Sequence, residues 1–362
     1  MTKKNYDFID LQKSIAIYFV VLYHFNNAPI NFINGGSVTA YSNYFLRSIL
    51  STCVPLFFFT NGALLLNKYD LDIKKHTRKV LKIILLTVIW GLLTLLAAGE
   101  IRGERLSVSE IIKGIFHLKQ GWINHLWFLQ AIVVIYVFFP LILTVFKFRR
   151  DYFIYFLVLI MIFSFGNTLL SHLTTLCSLI LKLPNIRSGM NFFGGFNPVN
   201  GINGYSLGYF LIGGLFLYNR QLFNNTKYKI LASICIIFSS TLLFLFGVFV
   251  SKRTNEIWDI VWFGYDSIFT LINVISIAIL SLGYTHSGLV GKGVKLVADN
   301  SLGIYLLNIT IGSMLWPYFT SYSIAKSFSI NIAFASLLLT ACLLLTLALK
   351  RIPIIKELFL LS

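Results

Sequence analysis

The chain has 362 residues, of which 57% are hydrophobic and only 12% charged, and its mean hydropathy is +0.79. A water-soluble core of this size cannot hide so much apolar surface, so the composition excludes a soluble enzyme and predicts a polytopic membrane protein. The net charge of +17 lies mainly in short loops between apolar runs, where it sets membrane topology, and we therefore expect no nucleic-acid partner.

Ten apolar runs are long enough to cross a bilayer as helices. They predict an all-α fold and a single integral-membrane domain over residues 1–362. The predicted spans lie near residues 9–27, 44–66, 80–98, 125–146, 152–171, 202–218, 229–250, 266–284, 301–319 and 328–349. The sixth run is short and glycine-rich, a composition typical of a tilted or tightly packed helix.

The distribution of Lys and Arg predicts which way the spans run. With a cytoplasmic N-terminus, 19 of these residues belong to inside loops and 9 to outside loops. Because cytoplasmic loops carry the excess of positive charge, both termini are expected in the cytoplasm. Four cysteines are scattered through apolar stretches without paired spacing, so the sequence indicates neither a disulfide framework nor a metal site.

The first span carries Asp10, Lys13 and His24 on one helical stripe. Lys13 and His24 are eleven residues apart, which is about three turns or roughly 16 Å along a helix axis. Ionisable residues at membrane depth usually mark functional sites. We therefore expect His24 to act as a general base, which takes the proton from a hydroxyl as that hydroxyl attacks an acyl carbonyl. The alternatives are a histidine satisfied by a neighbouring helix, and a Lys13 that pairs with Asp10 or reaches the interface.

Other spans add polar side chains at depth, namely Arg47, Asn61 and Asn308. Each costs several kcal/mol against lipid unless it faces the bundle interior, so we expect them to line a shared cavity. In the second span, Pro55 predicts a break in the backbone hydrogen bonding, and Gly62 predicts close approach of another helix or a ligand.

The loop after the second span concentrates positive charge on the predicted cytoplasmic side. Its sequence NKYDLDIKKHTRKVLK contains Lys74, Lys75, Arg78, Lys79 and Lys82 within nine residues. Such a cluster suits anionic lipid head groups. A cradle for a phosphorylated donor is the other interpretation, and the sequence leaves both open.

Two predicted outside loops are longer than the rest, and loops of that size often carry binding. The first contains SVSEIIKGIFHL, which predicts a short helix on the membrane surface. The second, LPNIRSGMNFFGGFNPVNGING, is rich in Gly, Asn, Pro and aromatic residues. That composition suits sugar contact, and equally an ordinary turn-rich connection.

Four segments in this order resemble a known family, the membrane-bound acyltransferase-three family of bacterial glycan O-acyltransferases. The first is Asp10, Leu11 and Lys13 with the later His24. The others are VPLFFFTNGALLL in the second span, HLWFLQAIVVIYVFFP from His125 to Pro140, and NSLGIYLLN from Asn300 to Asn308. Compared with the family, Lys13 replaces an arginine, Asn61 a serine and Asn308 a histidine, whereas the proposed catalytic histidine, His24, is retained.

The resemblance implies transfer of an acyl group, most often acetyl from cytoplasmic acetyl-CoA, to a hydroxyl of a cell-surface or lipid-linked polysaccharide. The enzyme would lie in the plasma membrane among its lipids and need no metal. His24 would be the catalytic base, and Lys13 and Asp10 would be catalytic residues with it. Donor phosphates are expected near Lys13, Lys74, Lys75, Arg78 and Lys79, and the acceptor sugar near His125 and Trp127, with Arg47, Asn61 and Asn308 in the cavity.

Two other functions are compatible with a polar interior. A flippase or exporter of a lipid-linked saccharide would also need polar groups at depth, but the sequence has no internal repeat and no paired broken helices. A polysaccharide polymerase or ligase would place catalytic arginines in a large outside loop, where Arg102, Arg105 and Arg187 are candidates.

Overall fold

The computed structural model describes residues 6–68, 71–115, 123–183, 190–197, 203–356 and 359. Over these residues the regular secondary structure is entirely helical, which confirms the predicted all-α class. The α-helices are α1 (Asp7–His24), α2 (Val38–Leu50), α3 (Cys53–Leu66), α4 (Ile73–Arg102), α5 (Val108–Ile115), α6 (Trp127–Phe148), α7 (Arg150–Met161), α8 (Asn167–Leu181), α9 (Asn203–Phe223), α10 (Thr226–Thr254), α11 (Ile268–Ser281), α12 (Gly288–Asp299), α13 (Ser301–Thr320), α14 (Phe328–Leu349) and α15 (Pro353–Lys356).

Seven helical segments of the described chain are long and apolar enough to cross a membrane. They are Val38–Leu66, Ile73–Arg102, Asn124–Phe148, Arg150–Leu181, Thr226–Thr254, Ser301–Thr320 and Phe328–Leu349. The other three predicted spans coincide with α1, α9 and α11, which are 18, 21 and 14 residues long. The protein is therefore a polytopic membrane protein, while ten spans and cytoplasmic termini stay predictions.

The second predicted span consists of two helices. The chain turns at Ser51 and Thr52 between α2 and α3, and α2 begins at Val38, earlier than expected. Pro55 lies in the first turn of α3. Backbone N–H groups in a first turn have no acceptor within the helix, so the N–H that proline lacks is not missed there. Because Pro55 cannot donate to the carbonyl of Ser51 four residues earlier, it favours an interruption at this point, as the sequence predicted.

Glycines bring α3 and α9 into close contact. A Cβ added at Gly62 would lie 1.8 Å from the carbonyl oxygen of Phe210, and one added at Gly213 would lie 1.9 Å from that of Phe59. Only glycine permits backbones to pack this tightly, as in other membrane helix pairs. The close approach predicted at Gly62 is thus confirmed, and its partner is the glycine-rich sixth run.

Helix α1 lies at the centre of the bundle and packs against α2, α3, α11, α12, α13 and α14. Polar side chains on these helices find partners inside the protein. Gln12 Nε2 donates to Ser281 Oγ over 2.6 Å, and Asn273 Nδ2 on α11 donates to Ser240 Oγ on α10 over 3.0 Å. Most of α1 is buried or half-buried, whereas its last residue, His24, is accessible.

The predicted short helix of the first long loop is present as α5. Its N-terminus is a capping box, in which Ser107 Oγ accepts from the backbone N–H of Glu110 while the Glu110 carboxylate accepts from that of Ser107. In the second long loop, residues 184–189 and 198–202 lie outside the described residues, so the expected sugar contact there stays a prediction.

Candidate active site

The end of α1 and the start of α6 enclose a cavity of about 270 Å³, here called the histidine cavity. Its walls come from α1, α3, α6, α13, the turn before α6 and the loop between α10 and α11. The lining residues are Val20, Tyr23, His24, Cys53, Val54, Asn124, His125, Trp127, Phe128, Trp262, Tyr265, Tyr305 and Ile309. Three predicted site residues, His24, His125 and Trp127, therefore lie together.

His24 is the last residue of α1, and its imidazole is accessible because it faces this cavity. Its ring centroid lies 5.1 Å from that of Tyr23. No side chain or backbone group of the described residues forms a hydrogen bond with the imidazole. A neutral imidazole in this position keeps a lone pair available for the proton of a bound hydroxyl.

Beside His24, a carboxylate holds the adjacent tyrosine. The Tyr23 hydroxyl donates to Asp259 Oδ2 over 2.7 Å, and the guanidinium of Arg47 lies 5.7 Å from the Tyr23 ring centroid. Asp259 Oδ1 accepts from the backbone N–H groups of Val261 and Trp262, over 3.0 and 3.2 Å. One carboxylate thus fixes both the end of α1 and the turn that places Trp262 in the cavity wall.

Aromatic rings form the other walls of the histidine cavity. The Trp127 and Trp262 rings meet edge to face with centroids 5.7 Å apart, and Trp127 lies 6.3 Å from Tyr265. The Tyr305 hydroxyl on α13 donates to the backbone carbonyl of His125 and ties the turn before α6 to α13. Rigid aromatic walls with a few polar groups suit a sugar ring, whose C–H faces pack against them.

A second cavity, here called the basic cavity, has a volume of about 610 Å³ and lies between the end of α3, the start of α4 and the middle of α6. It is lined by Leu65, Lys68, Leu71, Asp72, Lys75, His76, Arg78, Lys79, Lys82, Tyr136 and Phe139. Five cationic side chains thus face a single carboxylate. This charge balance suits a ligand that carries several phosphates.

Helical spacing explains which cations of the cluster reach the basic cavity. Lys75, Arg78, Lys79 and Lys82 follow one another at i, i+3, i+4 and i+7, so they share one face of α4. Lys79 and Lys82 are half-buried, and the Lys79 ammonium lies 5.5 Å from the Tyr136 ring centroid. Lys74 is exposed and is not among the lining residues of this cavity.

The N-terminus of α4 is capped by Asp72. Asp72 Oδ1 accepts from the backbone N–H of Lys75 over 3.1 Å, and Lys75 Nζ lies 3.6 Å from Oδ2. This backbone hydrogen bond, assisted by the charge of Lys75, holds the pKa of the Asp72 carboxyl below its usual value. The carboxylate therefore organises the first turn of α4, from which Lys75 and His76 enter the cavity.

His76 occupies its place because of a proline. Pro140 in α6 has no N–H to donate to the carbonyl of Tyr136, four residues earlier. His76 Nε2 lies 2.7 Å from that carbonyl oxygen. A carbonyl only accepts, so Nε2 carries the proton of this hydrogen bond, and His76 is fixed between α4 and α6.

The two cavities lie at different levels of the same helix. Trp127 lines the histidine cavity and Tyr136 lines the basic cavity. Nine residues of α-helix separate them, which is about 14 Å along the axis of α6. The bundle therefore places a cationic site and an accessible imidazole one above the other.

Other predicted site residues lie elsewhere. Asp10 forms ion pairs with His286 at 3.0 Å and Lys295 at 3.9 Å, so its contacts are with the 284–299 region. Asn61 Nδ2 donates to the carbonyl of Phe57 within α3. None of the following lines either cavity described here: Asp10, Lys13, Arg47, Asn61, Lys74 and Asn308.

Two of these residues nevertheless touch the cavity walls from behind. The Arg47 guanidinium lies over the Tyr23 ring, 5.7 Å from its centroid, and the buried Asn308 donates to the backbone carbonyl of Tyr305. These three residues line neither of the two cavities described here, and the shared cavity expected for Arg47, Asn61 and Asn308 stays a prediction. Instead, two of them support residues that line the histidine cavity.

Several lining residues were not singled out by the sequence analysis, chiefly Tyr23, Trp262, Tyr265 and Tyr305. Tyr305 lies inside the motif NSLGIYLLN, and Tyr23 directly precedes His24, so the motifs could have indicated both residues. The loop between α10 and α11 contains WDIVWFGYD, an aromatic and acidic run whose composition was the available signal. Within the described parts of the chain, no group of three or more His, Cys, Asp or Glu residues is placed to hold a metal ion.

Comparison with known families identifies the family of the chain. A family model described as an acyltransferase domain, the acyltransferase-3 model, matches residues 6–351. The chain belongs to the acyltransferase-3 family. The resemblance drawn from the four motifs is thereby confirmed, and the protein is a membrane acyltransferase. No curated protein and no solved structure matches the acyltransferase.

Proposed function

We propose that the acyltransferase moves an acetyl group from cytoplasmic acetyl-CoA to a hydroxyl of a cell-surface or lipid-linked polysaccharide in the plasma membrane, with His24 as general base. One observation carries the proposal. An accessible imidazole shares an aromatic cavity with His125 and Trp127, and a cation-rich cavity lies about 14 Å away along α6.

The basic cavity is the proposed donor site. Acetyl-CoA carries its phosphates at one end and its reactive thioester at the end of a flexible arm. Phosphates bound by Lys75, Arg78, Lys79 and Lys82 would leave that arm free to extend along α6 toward His24. Lys74 would contribute through its charge from outside the cavity, and Lys13 on α1 stays a proposed donor contact.

The histidine cavity is the proposed acceptor site. His24 takes the proton of the sugar hydroxyl as its oxygen attacks the thioester carbonyl. The new C–O bond forms, the C–S bond breaks, and the leaving thiolate receives the proton from the imidazolium. The products are an O-acetylated sugar and free CoA, so the imidazole returns to its neutral form without a metal or a redox cofactor.

The acceptor is proposed to be a sugar because of the cavity walls. Trp127 and Trp262 present ring edges and faces at nearly a right angle, with centroids 5.7 Å apart. His125, beside them, supplies a polar side chain for a sugar hydroxyl. Amphipathic aromatic surfaces with few polar groups are typical of sites for sugars.

Membranes that contain the acyltransferase test the proposal directly. They are supplied with isotope-labelled acetyl-CoA, and the polysaccharide and lipid-linked saccharide fractions are examined by mass spectrometry. We expect labelled O-acetyl groups that are missing in membranes lacking the protein. Movement of lipid-linked sugar without any use of acetyl-CoA would overturn the proposal and favour a flippase.

A further inference from the structure

Asp259 lies outside the four family-like motifs, yet it is the carboxylate that the structure brings to the end of α1. Its Oδ2 accepts from the Tyr23 hydroxyl over 2.7 Å. Tyr23 is adjacent to His24 in sequence, and their ring centroids are 5.1 Å apart. The loop between α10 and α11 therefore brings a carboxylate to the tyrosine whose ring adjoins the imidazole of the histidine cavity.

We propose that Asp259, with Tyr23, is a positioning residue for His24: it fixes the end of α1 and stabilises the imidazolium that forms when His24 takes the acceptor proton. The inference rests on the proposed role of His24. A positive charge formed away from bulk water is stabilised most by a nearby fixed anion. The N–H groups of Val261 and Trp262 hold Asp259 Oδ1, so this anion is preorganised.

The Asp259 carboxylate also connects the end of α1, which holds His24, to Trp262 in the wall of the histidine cavity. Trp262 lines the histidine cavity, and its backbone N–H bonds to Asp259 over 3.2 Å. Any displacement of Asp259 would therefore move the Trp262 turn and release Tyr23 together. Asp10, the carboxylate in the motif of α1, is engaged with His286 and Lys295 instead.

The groups that face His24 and titrate or carry charge come from every neighbouring element. They are Tyr23 on α1, Cys53 on α3, His125 before α6, Tyr265 and Asp259 in the loop between α10 and α11, Tyr305 on α13, and Arg47, which reaches the site through the Tyr23 ring. Within this set Asp259 is the only carboxylate. Removal of its charge is thus the cleanest perturbation of the imidazolium.

Asp259→Asn is the decisive variant because it removes the charge and nearly preserves the shape. Asn Oδ1 can still accept from the N–H groups of Val261 and Trp262, and its Nδ2 can donate to the Tyr23 oxygen. Acetyl transfer from labelled acetyl-CoA to the membrane saccharide fraction is measured against pH. We expect kcat to fall about tenfold. We also expect the acidic limb of the plot of kcat against pH to move about one unit to lower pH, because loss of the negative charge disfavours the imidazolium.

Asp266→Asn is the matched control. Asp266 lies in the same loop but bonds to the Thr168 hydroxyl over 2.7 Å and is not a lining residue of the histidine cavity. This variant is expected to keep the limb at its wild-type pH. An unmoved limb in Asp259→Asn, or an equal movement in Asp266→Asn, overturns the inference.

A second measurement needs no substrate and separates this inference from the proposed function. The protein is labelled at its histidine rings, and the His24 signal is assigned by its loss in His24→Gln. We expect that signal to titrate at lower pH in Asp259→Asn than in wild type. If titration is unchanged, the link between Asp259 and His24 fails, whereas wild-type acetyl transfer by His24→Ala would refute the proposed function instead.

Discussion

The Nε2 atom of His76 lies 2.7 Å from the backbone carbonyl oxygen of Tyr136, which Pro140 leaves without an intrahelical donor. Pro140→Ala would restore the backbone N–H of residue 140 as a donor to this carbonyl. We expect His76 to be held less firmly, because it would then share the carbonyl with that N–H. The KM for acetyl-CoA should rise about fivefold, equivalent to a hydrogen bond of about 1 kcal/mol, with little change in kcat.

Steady-state kinetics with varied acetyl-CoA check this prediction. Pro317→Ala is the matched control, since Pro317 is also inside a helix but lines neither cavity. His76→Gln combined with Pro140→Ala should raise KM by less than the product of the single effects, because both changes break one contact. Independent effects of the two substitutions would contradict the account.

The basic cavity predicts different outcomes for two lysines of one cluster. Lys79 lines the cavity and is half-buried, whereas Lys74 is exposed outside it. Lys79→Ala should raise the KM for acetyl-CoA about fivefold or more, and Lys74→Ala much less. Raising the salt concentration should weaken donor binding, because salt screens the attraction between the lysines and the donor phosphates. The difference in KM between the two variants should therefore become smaller. Equal effects of the two substitutions would show that the cluster acts only as a diffuse positive surface.

The contact between α3 and α9 predicts a large effect from one methyl group. In Gly62→Ala the new Cβ would meet the carbonyl oxygen of Phe210 at 1.8 Å, and backbone cannot move aside as a side chain would. We expect a loss of about 1–3 kcal/mol of stability, measured by thermal unfolding in detergent.

Gly293→Ala provides the comparison for this prediction. Gly293 lies in α12, has nothing within 4 Å of an added Cβ, and should be neutral or slightly stabilised by alanine. A Gly62→Ala protein as stable as wild type would mean that the two helices pack less closely than described.

Asp72 predicts a pH-dependent stability of the first turn of α4. Its hydrogen bond from the Lys75 N–H keeps the pKa of the carboxyl low, so its contribution is present above the ordinary value, about 3.9, and is lost as pH falls through the lower folded value. Asp72→Asn keeps a capping side chain but removes this charge. Hydrogen exchange of the first turn should differ between variant and wild type at neutral pH and converge only when the pH falls below the lowered pKa of the folded carboxyl. A difference that persists in acid would contradict the charge-based explanation.

The sequence predicted the all-α class and most of the helices because these depend on composition and local spacing. The stripe of Lys75, Arg78, Lys79 and Lys82 was also within reach, since helical periodicity alone separates it from Lys74. The composition of WDIVWFGYD marked the loop that holds Asp259 and Trp262, but no local pattern shows that this loop packs against the end of α1. Asp10 illustrates the reverse case: its motif suggested a role beside Lys13, but tertiary packing gave it His286 as a partner.

The role of His24 is tested most directly by acetyl transfer in membranes that contain equal amounts of wild-type, His24→Ala and His172→Ala protein. His172 is a buried histidine of α8 that is not among the residues lining the histidine cavity, and it controls for loss of an imidazole as such. We expect His24→Ala to lose about 10²-fold or more of the labelled acetyl incorporation into saccharide, and His172→Ala to retain most of it. A His24→Ala protein that inserts normally and acetylates saccharide at the wild-type rate would contradict the account.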